Sequence, residues 1–142
     1  MWHRLNRDRV RALRRKKLIR KLFFNYVKNS GVDEKAGLRI IDRDDFSIGS
    51  SYVRHYYSGR FKVVLDLVSL YNQRIYWGYS GDYYPERPER LAFIKGNKKI
   101  ALRFVLLHEL GHILLELAGD NTEYKADSYA IEQLQKEGLL KC

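Results

Sequence analysis

Residues 104–118 read Phe-Val-Leu-Leu-His-Glu-Leu-Gly-His-Ile-Leu-Leu-Glu-Leu-Ala, with His108-Glu109-Leu110-Gly111-His112 at the centre. The stretch reads as one helix. At 3.6 residues per turn, His108 and His112 lie one above the other on the same face. Two neutral imidazoles so placed close on one metal ion, and zinc is the usual occupant. Glu109 falls roughly a quarter turn round from His108. That suits a carboxylate beside the metal rather than on it, a base for the proton of an attacking water. The surrounding apolar residues supply the dry, rigid wall that a metal site needs behind its ligands.

A third ligand is expected from the segment that follows. Ala118-Gly119-Asp120-Asn121 breaks the helix, with Gly119 suited to a position just past a helix end and Asp120 or Asn121 suited to cap the next one. The next helix begins Thr122-Glu123-Tyr124-Lys125-Ala126-Asp127 and folds back, so its early residues face the histidines. Glu123 and Asp127 are four apart and share a face. Glu123 is the preferred ligand, with Asp127 behind, accepting the free N–H of a ligand histidine and fixing its tautomer. The alternatives are Asp127 itself or Glu116 as ligand, with Glu123 merely completing an Asp120-x-x-Glu123 capping box.

His-Glu-Leu-Gly-His followed by Glu-x-x-Ala-Asp-x-Tyr-Ala resembles the ImmA/IrrE family of zinc metallopeptidases, and Arg103-Phe104 resembles that family's Arg-Phe-x-x-x-His entry. The likeness covers residues 100–131. It implies a zincin-like fold with one zinc ion, ligands His108, His112 and Glu123, and Glu109 as catalytic base. The chain departs from the pattern in carrying Asp127 for an asparagine and Glu132-Gln133-Leu134-Gln135 for Leu-Leu-Met-Pro. Family members cleave transcriptional repressors, so the resemblance implies a protein substrate of that kind.

Elsewhere the chain is polarised in charge. Residues 1–28 hold eleven Lys/Arg and one acid, Asp8, while the remaining 16 basic and 16 acidic residues cancel, so this segment carries the whole +10 excess. From Trp2 to Lys28 there is no Gly or Pro, which predicts a helix. Leu18/Leu22/Tyr26 and Ile19/Phe23/Val27 form ladders that dock on a core, and Phe24 reads as core with them. Upstream, Arg4, Arg7, Arg11, Arg14, Arg15, Lys16 and Lys17 form a basic arm suited to DNA or another polyanion, with an anionic membrane or a plain solvated face as alternatives. His3 in this arm is assigned no role. The single cysteine, Cys142, excludes an intrachain disulfide and fits a reducing compartment. With no signal-peptide core and no uninterrupted apolar span, the expectation is a cytoplasmic chain without a transmembrane segment.

At 142 residues the chain is one domain's worth, residues 1–142, with the basic helix at 1–28 and the metal-binding hairpin at 98–137. Between them, Leu38–Ile41, Ser51–Tyr57 and Gly59–Leu70 read as strands, with Ile75–Trp77 and Leu91–Ile94 as short further ones. Asp42, Asp44 and Asp45 read as a solvated turn and Gly78–Arg90 as a loop. The fold class is therefore α+β: an N-terminal helix, an antiparallel sheet of three to four strands, then the hairpin, whose second helix runs from about Thr122 to Lys136 and stops at Gly138. His55, Tyr56, Tyr57 and Tyr129 are candidate oxyanion donors. The function expected is zinc-dependent endopeptidase action on one intracellular protein. The alternatives are a small nucleic-acid-binding protein with a structural zinc, and a DNA-associated repair protease.

Overall fold

The computed structural model describes residues 2–32, 34–41, 51–71, 92–94 and 96–141, with side chains from residue 7 onward except that of Ser69. The expected turn at Asp42, Asp44 and Asp45, the strand at Ile75–Trp77 and the loop at Gly78–Arg90 lie outside these residues. Among the described residues the architecture is α+β, with four helices of five or more residues and a three-stranded mixed sheet.

Helix α1 runs from Trp2 to Ser30 and ends at Gly31, whose φ of +82° is open to glycine at little cost. Ile19, Phe23 and Val27 are fully buried, as their spacing requires. The neighbouring ladder docks only in part. Leu22 and Tyr26 are half-buried, but Leu18 and Phe24 are exposed. Each i, i+4 step drifts about 40° round a helix. The drift leaves Leu18 far from the stripe centred on Phe23, and Phe24 lies on the outer side.

Strands β1 (Ala36–Ile41), β2 (Ser51–His55) and β3 (Phe61–Asp66) form the sheet in the order β1-β3-β2. β2 and β3 make the expected antiparallel hairpin, with Val53 opposite Val63 and Gly59 at φ +83° in the turn. β1 instead runs parallel to β3, Ala36 opposite Phe61 and Ile41 opposite Asp66, so the sheet is mixed rather than antiparallel. The central strand β3 is almost wholly buried. It ends earlier than its apolar run suggests. Asp66 accepts a hydrogen bond from the Val68 backbone N–H at 3.1 Å and starts helix α2 (Leu67–Tyr71), which buries Leu67 and Leu70. A capping carboxylate thus turns an expected strand into a helical turn. Residues 92–94, expected as strand, are also helical, with Ile94 fully buried.

Helix α3 (Lys98–Leu117) is the element the rest packs on. Asn97 caps it, its Oδ1 accepting from Ile100 N at 3.2 Å. One flank, with Leu102, Val105, Leu106, Leu110 and Ile113, meets α1, α2 and β3 in the larger core. Ile100, Phe104 and Leu107 meet Ala130, Ile131 and Leu134 of helix α4 (Glu123–Lys136) in a second one. A helix apolar on nearly all sides is a buried helix, and this one carries the motif. Among the described residues, no helix is long and apolar enough to cross a membrane.

Candidate metal centre

The turn from α3 to α4 decides where the acidic side chains point. Gly119, at φ +73°, lets Asp120 N–H reach back to the Leu115 carbonyl at 2.9 Å and closes α3. The cap of α4 is Thr122, whose hydroxyl accepts from Lys125 N at 3.1 Å, and not Asp120 or Asn121. Asp120 pairs with the Lys125 ammonium instead. No Asp120–Glu123 capping box forms, and the Glu123 carboxylate is directed at the histidines.

Four ligand atoms converge there. His108 Nε2 lies 3.1 Å from Glu123 Oε2, and His112 Nε2 lies 3.1 Å from Glu123 Oε1. The two Nε2 atoms are themselves 3.1 Å apart, their rings nearly perpendicular at 89°. Each ring is held from its far side. His108 Nδ1 is 2.5 Å from Asp127 Oδ1, a bent approach short of a linear hydrogen bond. His112 Nδ1 is 2.7 Å from Asn121 Oδ1. When the imidazoles are neutral, an oxygen beside each Nδ1 draws the remaining proton there and turns both Nε2 lone pairs to one point.

The residues fit a divalent cation on two counts. First, two imidazole nitrogens and a carboxylate are a zinc donor set. Second, donors about 2.0 Å from a tetrahedral ion stand about 3.3 Å apart, close to the separations here. His108, His112 and Glu123 are the group so placed among the described residues. Asp127 lies behind His108 rather than among the donors, and Glu116 is turned away, accepting from Asn121 Nδ2 at 3.1 Å.

Glu109 stands beside this cluster, its Oε1 3.8 Å from His108 Nε2. Ser51, the first residue of β2, donates its hydroxyl to the same oxygen at 2.8 Å. Burial pushes the Glu109 carboxyl above its usual range, with His108 and the Ser51 hydrogen bond acting against it. The two sequence expectations for acids are therefore split by environment. Asp127 and Glu109 are buried at 4% and 6% side-chain exposure, while Glu123, at 53%, stands at the open mouth of the site.

Compared with known proteins, the chain matches no family model, no curated protein and no solved structure. The chemistry of the site must be argued from its own atoms.

Burial opposes a charged His108, but the Asp127 and Glu123 carboxylates outweigh it and raise the imidazole to about 10. Burial likewise opposes a charged His112, which Glu123 and Asn121 raise. Hydrogen bonds from both imidazoles hold Glu123 well below the usual carboxylate range. Without metal, then, a proton occupies the place between the donors. Ligand imidazoles must be neutral, so metal uptake displaces it. The metal-free chain is expected to release at least one proton per zinc bound at neutral pH. Its affinity should fall as pH is lowered. Titration calorimetry in buffers of different ionisation enthalpy reads the proton count; uptake with none released would show the imidazoles were already neutral.

Of the four oxyanion candidates, none is brought to the cluster. His55 stacks on Phe61 at 4.3 Å, at the far end of β2 from Ser51 and roughly 13 Å along the strand. Tyr56 and Tyr57 are exposed in the hairpin turn, Lys62 lying 5.9 Å over the Tyr56 ring. Tyr129, two residues past Asp127, points to another side of α4 and lines a groove of about 710 Å³ with Leu22, Tyr26 and Arg103. Sequence reading missed Ser51, which lies 58 residues from its partner and carries no motif. It also took Asn121 for a helix cap rather than the residue that orients His112.

Proposed function

We propose that the chain is a zinc-dependent endopeptidase of the kind its motif resembles, with the zincin-like arrangement of the ImmA/IrrE family. One observation carries this. Two histidine Nε2 atoms and a carboxylate face a common point while a buried, separately anchored glutamate stands beside them. A structural zinc site is closed by four protein ligands, whereas the group that could hold a metal among the described residues has three members, of which Glu123 stands at an open mouth.

His108, His112 and Glu123 would hold the ion. When bound, zinc supplies a Lewis acid for a carbonyl and for water. The chain's own residues do the rest. Glu109 takes the proton of the attacking water and delivers it to the leaving amine. Ser51 fixes the rotation of that carboxylate, and Asp127 and Asn121 fix the two imidazoles. Among the described residues β2 pairs only with β3 and is the edge strand, its first residue beside Glu109. An extended substrate adds a strand there, with main-chain hydrogen bonds giving affinity. The substrate class is an intracellular protein, a DNA-bound transcriptional repressor being what the resemblance favours, and the setting is cytoplasmic.

Elemental analysis of zinc in wild type and Glu123→Ala tests the centre. About one zinc per chain is expected in the wild type, with affinity lowered at least tenfold in the variant, since even residues behind the ligands change it by about 10–100-fold. Full zinc at unchanged affinity in Glu123→Ala would remove Glu123 from the ligands. A wild type that takes up no zinc when it is offered would remove the function.

A further inference from the structure

The basic segment has a geometry that composition does not show. Arg7, Arg11, Arg14, Lys17, Lys21 and Lys28 are all exposed on α1. At 100° per residue they fall within about 120° of the helix circumference, and Asp8, the segment's one acid, falls outside that arc. Arg7, Arg14, Lys21 and Lys28 repeat every seventh residue, with Lys17 and Arg11 between. At 1.5 Å per residue the ridge is about 32 Å long, with a cation about every 6 Å on average. It lies on the side of α1 away from Ile19, Phe23 and Val27, so docking of the helix on the core leaves it free.

We propose that this ridge docks the protein on the phosphate backbone of duplex DNA, without reading its sequence. The partner must be an extended polyanion of regular spacing, and one DNA strand carries a phosphate every 3.4 Å or so, about nine along such a ridge. A lipid surface is a poorer fit. Helices that lie in a membrane interface need a free apolar face. The stripe of Ile19, Phe23 and Val27 is already buried in the core, and the exposed apolar residues of α1, Val10, Leu13, Leu18 and Phe24, are interspersed with cations. Arg15 and Lys16 take no part in the ridge: Arg15 lies 4.0 Å over the Tyr71 ring, and Lys16 is half-buried with a partner of its own. Arg15 and Lys16 thus face the body and the six ridge cations face outward, while Arg9 and Arg20, also exposed, flank the buried stripe. None of the outward ones touches the metal ligands, so DNA binding stands or falls independently of the peptidase.

Fluorescence anisotropy with a mixed-sequence duplex of about 30 base pairs, longer than the ridge's footprint of roughly nine, tests it. Affinity of the full chain is expected to fall about 10³-fold between about 50 and 200 mM salt, as for some six phosphates neutralised. The variant with Arg7→Gln, Arg14→Gln, Lys17→Gln and Lys21→Gln should lose three to four units of the log–log salt slope, at about 0.9 per phosphate contact. A second variant, Lys35→Gln, Arg54→Gln, Lys98→Gln and Lys99→Gln, makes the same change of net charge elsewhere and should keep the slope; circular dichroism checks that both remain folded. Glu123→Ala should bind DNA as the wild type does. Equal loss in the two charge variants would reduce the effect to net charge and overturn the proposal. So would absence of binding at about 50 mM salt, or tighter binding at the same salt to vesicles rich in phosphatidylserine than to the duplex.

Discussion

Replacing Glu109 with Gln is expected to lower peptide hydrolysis by about 10³-fold while leaving one zinc in place. A positioned general base contributes about 10²–10⁴-fold, and 10³-fold corresponds to about 4 kcal/mol of barrier. Glutamine keeps the shape and one oxygen, so the Ser51 hydroxyl still has its acceptor. It removes a charge from a buried position, so folding stability should stay level or rise, by about 1 kcal/mol at most. The ligands are untouched. The contrast with Glu123→Ala separates the roles, since that change costs the metal as well as the rate. Cleavage products from a library of folded and denatured cytoplasmic proteins, read by mass spectrometry alongside zinc content, provide the measurement. Wild-type cleavage rates in Glu109→Gln would show that another group moves the proton.

What could be seen in advance of the structure was whatever depends on near neighbours in the chain. His108 and His112 share a face because of helix geometry alone, and Gly119 marks the end of α3 by local hydrogen bonding. The shortness of the turn favoured Glu123 as third donor and left Asp127 and Glu116 open; the structure groups Glu123 with the two histidines. The coarse α+β order was legible for the same reason. Where distant segments meet, the signal failed. Alternation shows which face of a strand is buried but not which way its neighbour runs, so the parallel pairing of β1 with β3 was invisible. Leu67-Val-Ser-Leu70 looks like the end of a strand unless the Asp66 carboxylate is known to turn back on Val68. Ser51 acquires its role only because the start of β2 packs on α3, and Asn121 only because Thr122, not Asn121, caps α4.

Gly111→Val is expected to destabilise the fold by about 3 kcal/mol and to weaken zinc binding with it. A Cβ at Gly111 would stand 3.0 Å from Tyr129 Cδ1, 3.2 Å from Ala126 O and 3.3 Å from Ala126 Cα. The tyrosine ring can swing aside. The Ala126 backbone cannot, because it is part of α4, so the helices must separate. Glu123 and Asp127 ride on α4, and moving it draws both carboxylates from the histidines of α3. Alanine is the milder case: its helix propensity gains about 1 kcal/mol over glycine, which offsets part of an overpacking cost of about 1–3 kcal/mol. Valine adds two methyl groups to the same contact and regains less, being a poorer helix former. Thermal unfolding should show the midpoint falling by roughly 10 °C in Gly111→Val at this chain length. Gly96→Ala, where a Cβ meets nothing within 4 Å, is the control and should stay near the wild type. A Gly111→Val protein with unchanged midpoint and unchanged zinc affinity would show that the α3–α4 spacing is set elsewhere. If stability falls but zinc affinity holds, the donors close on the metal even as the helices part, and the site is organised by the ion rather than by the packing behind it.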